Sequence, residues 1–126
     1  RRRASAADAA PAAGGHYNAG GAEAWFNVSR GGHYNAVHDH SGARASGIIW
    51  IAVPPPPPPP LEHSGALFVA LAFPDGERPG RYALLGPAAG AMLCFPGRLA
   101  HAVVPVAPDA LRGADDARIS LAFNFP

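Results

Sequence analysis

The segment ARISLAFNF, residues 117–125, carries the clearest secondary-structure pattern of the chain. Apolar residues alternate with polar or small ones, which is the pattern of a β-strand whose two faces meet different surroundings. We expect the apolar face, from Ile119 to Phe125, to pack into the core. The other face carries Arg118, Ser120 and Asn124. Toward solvent these would be ordinary surface residues, whereas toward a barrel interior Arg118 would be a buried cation that requires an anion.

Seven further strand-like segments precede this one and are separated by turn-forming Gly, Pro, Asn or Asp residues. They are residues 25–29, 34–38, 46–53, 66–73, 81–85, 91–95 and 100–106. The sequence shows no amphipathic helix pattern, and a parallel sheet would need crossover helices. About eight short strands with little helix predict an all-β jelly roll, the double-stranded β-helix of cupin-like proteins.

The chain of 126 residues is long enough for one such domain, which we assign to residues 23–126. We interpret residues 1–22 as a disordered or leader segment, and its Arg- and Ala-rich start leaves organellar targeting open. This segment contains the first copy of the hexapeptide GGHYNA, at residues 14–19, which recurs at residues 31–36. Two copies do not make a repeat architecture, so we interpret the first as a local duplication.

Seven consecutive prolines occupy residues 54–60, between two predicted strands. Proline lacks the backbone N–H that a sheet requires, so we expect an exposed polyproline II loop outside the sheets. SH3 and WW domains bind proline runs, but no basic residue flanks this one to set an orientation. We therefore interpret the run as a low-complexity loop insertion in the domain rather than as a binding site for a protein partner.

The composition excludes several functional classes. A formal net charge of +1 gives no electrostatic reason to expect nucleic acid as a partner, and no apolar run reaches the ~20 residues of a membrane span. The chain contains no Lys, which excludes Schiff-base chemistry and a Walker-type phosphate site. Cys94 is the single cysteine, so no intrachain disulfide can form and we expect a reducing, intracellular (cytoplasmic) location.

Two histidines, His38 and His40, lie at the end of a predicted strand with one residue between them. Residues two apart in an extended chain point to the same face, so both imidazoles can reach one point while Asp39 faces the other way. Imidazole is a common ligand of iron, zinc and copper. His101 begins a later apolar strand, which a jelly roll can bring beside the pair. Taken singly, the pair could equally be solvated turn residues and His101 a core residue.

Five segments together resemble the 2-oxoglutarate/Fe(II)-dependent oxygenase family. In chain order they are WFNVSRGGHYNAVHDHSG (25–42), SGIIWIAVP (46–54), SGALFV (64–69), GPAAGAMLCFPGRLAHAVVPV (86–106) and ARISLAFNF (117–125). The resemblance implies a double-stranded β-helix with ferrous iron bound by His38, His40 and His101. It also implies that the distal carboxylate of the cosubstrate 2-oxoglutarate pairs with Arg118, assisted by Ser120. No catalytic residue beyond the metal ligands is implied.

The activity that the resemblance implies is hydroxylation of a small-molecule or protein side-chain substrate, with decarboxylation of 2-oxoglutarate to succinate. The wider superfamily usually carries His-x-Asp as its first motif, and His40 stands in the Asp position here. His-x-His is the normal pattern of the closer subfamily, and Asp39 could replace His40 only if the backbone twisted. The alternative function is a non-catalytic, cupin-like module that binds a metal or small ligand, which has no need for Arg118 and Ser120.

Overall fold

A computed structural model describes residues 12–73, 75–76, 79–113 and 116–126, and it is almost entirely β. The described residues form nine strands: β1 (Ala12–Ala19), β2 (Ala22–Ser29), β3 (Asn35–His38), β4 (Ala45–Ala52), β5 (Leu67–Ala72), β6 (Arg81–Leu85), β7 (Met92–Pro96), β8 (His101–Val103) and β9 (Arg118–Phe125). A short 3-10 helix follows β8 at Pro108–Ala110. The predicted all-β class is therefore confirmed. In the part of the chain that is described, no helix is long and apolar enough to cross a membrane.

The strands pair antiparallel in two sheets that form a jelly roll. The five-stranded sheet has the order β1-β2-β9-β4-β7, and the four-stranded sheet has the order β3-β8-β5-β6. Between the sheets lies an apolar core whose buried members are Ile48, Trp50, Leu67, Val69 and Val103. This arrangement brings the ends of β3 and β8, which are distant in sequence, next to each other at one end of the barrel.

Strand β1 corrects our interpretation of residues 1–22 as a disordered or leader segment. The first GGHYNA copy lies in β1, which pairs with β2 through a two-residue turn at Gly20 and Gly21. Both glycines have positive φ angles, 59° and 81°, which is the conformation that a tight hairpin turn of this length requires. The interpretation is therefore wrong for residues 12–22, while residues 1–11 lie outside the described residues. The Gly-Gly pair was the sequence signal for this hairpin.

Strand β9 has the opposite orientation to the one expected from its hydrophobicity. Arg118, Ser120 and Asn124 are buried, with at most 8% of each side chain exposed, whereas Phe125 is 50% exposed. The expectation that the apolar face of β9 packs into the core is thus wrong. At one end of this inward face, the Ser46 hydroxyl of β4 lies opposite Asn124 and donates a hydrogen bond to its Oδ1.

The proline run lies outside both sheets, as expected, but it is not uniformly exposed. Residues 54–57 continue from β4 without secondary structure, and Pro57 is buried. This segment ends in a turn at Pro59 and Pro60, where Leu61 N–H donates a hydrogen bond to Pro58 O. Four of these prolines and Arg118 line a cavity of about 240 Å³. The run therefore packs against the barrel instead of standing free in solvent.

We predict that Gly47→Ala destabilises the domain. Gly47 lies in β4 between β7 and β9, and a Cβ there would overlap the Phe123 ring and lie 2.5 Å from Leu93 O. Because the carbonyl belongs to a paired strand and cannot move freely, we expect a loss of about 1–3 kcal/mol, measured as the free energy of unfolding in urea. Gly86→Ala is the control, since its Cβ would meet nothing within 4 Å. Equal stability of the two variants would contradict the packing described here.

Candidate metal centre

Three histidines meet at the open end of the barrel. His38 is the last residue of β3 and His101 is the first residue of β8, and the two lie directly opposite each other in the β3–β8 pair. His40 follows His38 in the turn after β3. One ring nitrogen of each histidine lies within 4.8 Å of those of the other two, so this group could hold a metal ion. The structure thus brings together the three histidines that the sequence singled out.

Hydrogen bonds to the backbone orient two of these rings. The Nδ1–H of His38 donates to Ala36 O at 2.7 Å, and the Nδ1–H of His101 donates to Leu99 O at 2.8 Å. A carbonyl oxygen can only accept, so in both rings the proton is on Nδ1 and the lone pair is on Nε2. An Nδ1–H held by a carbonyl is the usual arrangement of a metal-binding histidine.

The turn that carries His40 is held by backbone contacts to the segment between β7 and β8. His40 N–H donates to Gly97 O at 2.8 Å, and Ala43 N–H donates back to His40 O at 2.8 Å. Gly97 approaches so closely that a Cβ on it would lie 2.6 Å from His40 O. The ring of His40 meets the edge of Trp25 with a centroid separation of 5.9 Å.

Burial favours the neutral form of two of the three imidazoles. Desolvation lowers the pKa of His101, which is buried, and that of His40, which is half-buried, below the ordinary value of 6.5. Neutral imidazoles at pH 7 present lone pairs without the cost of displacing a proton, which favours metal binding. The donor set of three imidazoles therefore fits a divalent transition metal such as iron.

Asp39 does not belong to the cluster. Its carboxylate is exposed and accepts hydrogen bonds from Ser41 N–H at 2.9 Å and from the Ser41 hydroxyl at 2.6 Å. These hydrogen bonds lower the pKa of Asp39. Because both contacts lie within its own turn, this carboxylate does not replace His40 in the cluster.

A small cavity of about 50 Å³ connects the histidines with Arg118 and Ser120. Only 2% of Arg118 is exposed, and burial lowers the pKa of its guanidinium to about 10. Its Nε donates to Gly65 O at 2.9 Å and its Nη1 donates to Ser120 Oγ at 3.3 Å, but its buried Nη2 has no hydrogen-bond partner among the described residues. Arg118 remains a cation at pH 7 and has a free donor, so the site fits a carboxylate.

Gly65 shapes the space that the Arg118 side chain occupies. It has a φ of 68°, and a Cβ at this position would lie 2.7 Å from Arg118 Cδ. Any larger residue would therefore be strained in its backbone and would displace the guanidinium. The sequence analysis did not identify this contact, because it joins residues that are distant in the chain.

The remaining histidines lie outside the cluster. His16 stacks on Trp25 with a ring-centroid distance of 6.3 Å, while His63 is exposed. Trp25, Ser46 and Asn124 also line the cavity beside the histidines, and they were not predicted from the sequence. The alternation in β9 placed Asn124 beside Arg118 and Ser120, and this was the only available signal.

The fold and the site together define a cupin-like jelly roll with a three-histidine cluster. Among solved structures it is similar to a Pseudomonas putida prolyl-4-hydroxylase, with a TM-score of 0.61 and 21% identity over 82% of this chain and 50% of that chain. It is also similar to a 2OG-Fe(II) oxygenase family oxidoreductase from Burkholderia pseudomallei (TM-score 0.55, 16% identity, 81% of this chain, 42% of that chain). A cupin domain from Bordetella pertussis Tohama I matches with a TM-score of 0.50 and 13% identity over 93% of this chain and 96% of that chain.

At these identities the similarities show the fold, and the chain spans half or less of the length of the two oxygenases. No curated protein sequence matches it. The family described as "Putative 2OG-Fe(II) oxygenase" matches residues 23–124, which is most of the chain. The chain therefore belongs to the 2OG-Fe(II) oxygenase family, and the resemblance noted in the sequence is confirmed.

We predict that His101→Ala abolishes tight metal binding. Removing one of three ligands should lower the affinity for Co(II), a spectroscopically visible substitute for Fe(II), by more than about 100-fold, since the loss of a supporting residue alone costs 10–100-fold. Titration followed by visible absorption measures this. Asp39→Asn is the control and should bind Co(II) nearly as well as the wild type, because its carboxylate faces its own turn. If Asp39→Asn lost affinity as strongly, the ligand set would have to include Asp39.

A second prediction concerns the pH dependence of stability in the metal-free protein. Burial lowers the pKa of His101 below 6.5 in the folded state. Between the two pKa values the unfolded state therefore binds more protons than the folded state. The free energy of unfolding should therefore decrease as pH falls from about 6.5 toward the lowered folded-state pKa. His101→Asn should flatten this dependence in urea titrations between pH 7.5 and roughly 5. His63→Asn, at an exposed position, should leave the slope unchanged.

Proposed function

We propose that this chain is the catalytic barrel of an Fe(II)- and 2-oxoglutarate-dependent dioxygenase that hydroxylates a small molecule or a protein side chain. The observation that supports this most directly is the buried Arg118, which has a free Nη2 donor and lines the same cavity as the three histidines. A buried guanidinium without an anion is costly, so its presence argues for a bound carboxylate. Membership of the oxygenase family supports the same proposal.

In this proposal the chain binds and orients, while the cofactors supply the oxidation. When bound, Fe(II) and 2-oxoglutarate supply chemistry in which dioxygen and 2-oxoglutarate give succinate, carbon dioxide and a hydroxyl group on the substrate. His38, His40 and His101 would hold the metal through neutral ring nitrogens. Arg118 would bind the distal carboxylate of 2-oxoglutarate, with the Ser120 hydroxyl fixing the position of Nη1. A reducing, intracellular location suits a centre that requires ferrous iron.

The apolar core below the centre limits the access of water. The cavity is lined by four apolar residues beside the polar ones, namely Ile48, Leu67, Val103 and Phe95. All of them except Phe95 are buried. The cavity of about 50 Å³ holds only a few water molecules. A five-carbon diacid is larger than this, so its binding requires the lining side chains to move apart. We expect the metal to bind first and the diacid to enter with this rearrangement.

The second candidate is a non-catalytic, cupin-like module that binds a metal or a small ligand. The observation that favours it is the similarity to a bacterial cupin domain of nearly the same length, of which this chain covers 96%. Such a module would use the histidines but would have no use for Arg118 as an anion site. The two candidates therefore differ in whether the protein binds 2-oxoglutarate through Arg118.

We predict that Arg118→Ala removes 2-oxoglutarate binding but retains the metal. Loss of the charged partner of a buried carboxylate costs about 2–5 kcal/mol, or roughly 30-fold to several-thousand-fold in affinity. Anaerobic titration of the Fe(II)-loaded protein with 2-oxoglutarate, followed through the metal-to-ligand charge-transfer absorption, measures this affinity. Co(II) affinity of the same variant should remain within a few-fold of the wild type. Arg118→Lys should recover only part of the binding, because an ammonium cannot pair with the carboxylate in bidentate fashion.

Arg81→Ala provides the matched control, since Arg81 is exposed on β6 and lies outside the cavity. It should bind 2-oxoglutarate like the wild type. If the wild type bound metal but had no affinity for 2-oxoglutarate, or if Arg118→Ala bound it unchanged, the dioxygenase proposal would fail. The cupin-like module would then be the better description.

A further inference from the structure

The three histidines of the centre are not held in the same way. His38 and His101 each donate Nδ1–H to the carbonyl of the residue two positions earlier in the chain. His40 lies in a turn, and no such backbone contact orients its ring among the described residues. Its Nδ1 instead faces the side-chain amide of Asn124, whose Nδ2 lies 3.4 Å away. The orientation of this ring therefore depends on another side chain.

Asn124 is itself fixed in place. It is 92% buried, and its Oδ1 accepts a hydrogen bond of 2.7 Å from the Ser46 hydroxyl, which is also buried. Ser46 lies directly opposite Asn124 in the β4–β9 pair. Because an unpaired buried donor or acceptor is costly, the contact with Ser46 holds the Asn124 side chain in its place in the sheet.

On the other side of Asn124 lies Glu23. It is directly opposite Asn124 in the β2–β9 pair, and its Oε2 lies 3.5 Å from Asn124 Nδ2. Three neighbouring strands thus place Glu23, Asn124 and Ser46 in one row across the inner face of the sheet. A groove of about 350 Å³ next to His40 is lined by both Glu23 and Asn124. The row places the Glu23 carboxylate near His40. His40 is the candidate ligand that stands where the wider superfamily usually has an Asp.

We propose that Asn124, held by Ser46, is the positioning residue that fixes the His40 imidazole for metal binding. An Nδ2–H donor facing Nδ1 places the proton of the neutral ring on Nε2, whereas metal binding through Nε2 requires the proton on Nδ1. Metal binding therefore requires the amide to turn, so that the Nδ1–H donates to Asn124 Oδ1. A side-chain amide carries both a donor and an acceptor, so Asn124 can form a hydrogen bond with Nδ1 in either tautomer of the neutral ring. The Ser46 hydroxyl can likewise donate or accept, and this allows the amide to turn without losing that contact. The inference rests on the metal centre of the proposed function, but not on turnover.

The test measures Co(II) affinity by visible absorption in the folded, metal-loaded protein without assaying activity. Asn124→Ala should weaken Co(II) binding about 10–100-fold, which is the usual effect of removing a residue that supports a metal ligand. Asn18→Ala is the matched control, because the Asn18 amide contacts the other oxygen of Glu23 at 3.5 Å but does not reach His40. It should bind Co(II) within about twofold of the wild type, a change far smaller than that expected for the supporting residue.

Two further variants separate positioning from a general structural effect. In a His40→Ala background, Asn124→Ala should cause no additional loss, since a residue that acts through His40 has nothing left to position. The double variant Glu23→Gln/Asn124→Asp exchanges the two side-chain types. It places the carboxylate at position 124, beside His40, and the amide at position 23. This double variant should restore Co(II) affinity to at least the wild-type level, because a carboxylate is a strong acceptor for the Nδ1–H of a metal-bound histidine.

The outcomes are distinguishable. Three outcomes would each overturn the inference while leaving the metal centre intact. They are a wild-type Co(II) affinity in Asn124→Ala, an equal loss of Co(II) affinity when Asn124→Ala is made in the His40→Ala background, and no recovery of affinity in the exchange variant. A wild type that does not bind Co(II) would instead overturn the metal centre and the proposed function with it. If Asn124→Ala does not fold, Ser46→Ala keeps the amide and removes only its hydroxyl partner. It should lower the affinity by a smaller factor, and unchanged affinity there would again contradict the inference.

Discussion

The pairing of β9 with β2 on one side and β4 on the other holds a polar strand face against the interior of the barrel. Every residue of this face, from Arg118 to Asn124, has a partner directly across from it on β2, and Ser120 and Asn124 also have one on β4. Because side chains alternate along a strand, a shift of one residue would exchange the whole polar face for the apolar one. The burial of the Arg118 guanidinium and the contact of Asn124 with His40 therefore share one structural cause, which is the register of β9.

This inward polar face costs stability that an apolar face would have contributed. Arg118 is a buried cation whose described contacts are two neutral acceptors, Gly65 O and Ser120 Oγ, so its charge is not compensated within the site. Domains tolerate such features where they serve a function, and strongly perturbed buried groups concentrate at such sites. The apolar cluster between the two sheets, with Trp50 and Leu67, supplies the burial that offsets this cost.

The three-histidine cluster combines two kinds of support. His38 and His101 are oriented by backbone carbonyls, so their geometry follows directly from the β3–β8 pair. His40 lies in a turn that Gly97 holds from outside, and its ring meets the Asn124 amide. Hydrogen bonds between two paired strands fix the positions of the side chains on them. A side chain in a turn needs additional side-chain contacts to be held as firmly.

The sequence by itself determined the all-β class, because period-two alternation and turn residues are local signals, and the predicted ends of β2 to β9 agree with the structure within three residues. It also singled out the three histidines and Arg118, since their chemistry and spacing are visible in the chain. It failed for residues 12–22, where a Gly-rich hairpin resembles a flexible leader, and for the orientation of β9. Only the tertiary structure decided which face of β9 is buried and which residues support His40, because both depend on pairing between strands that are distant in sequence.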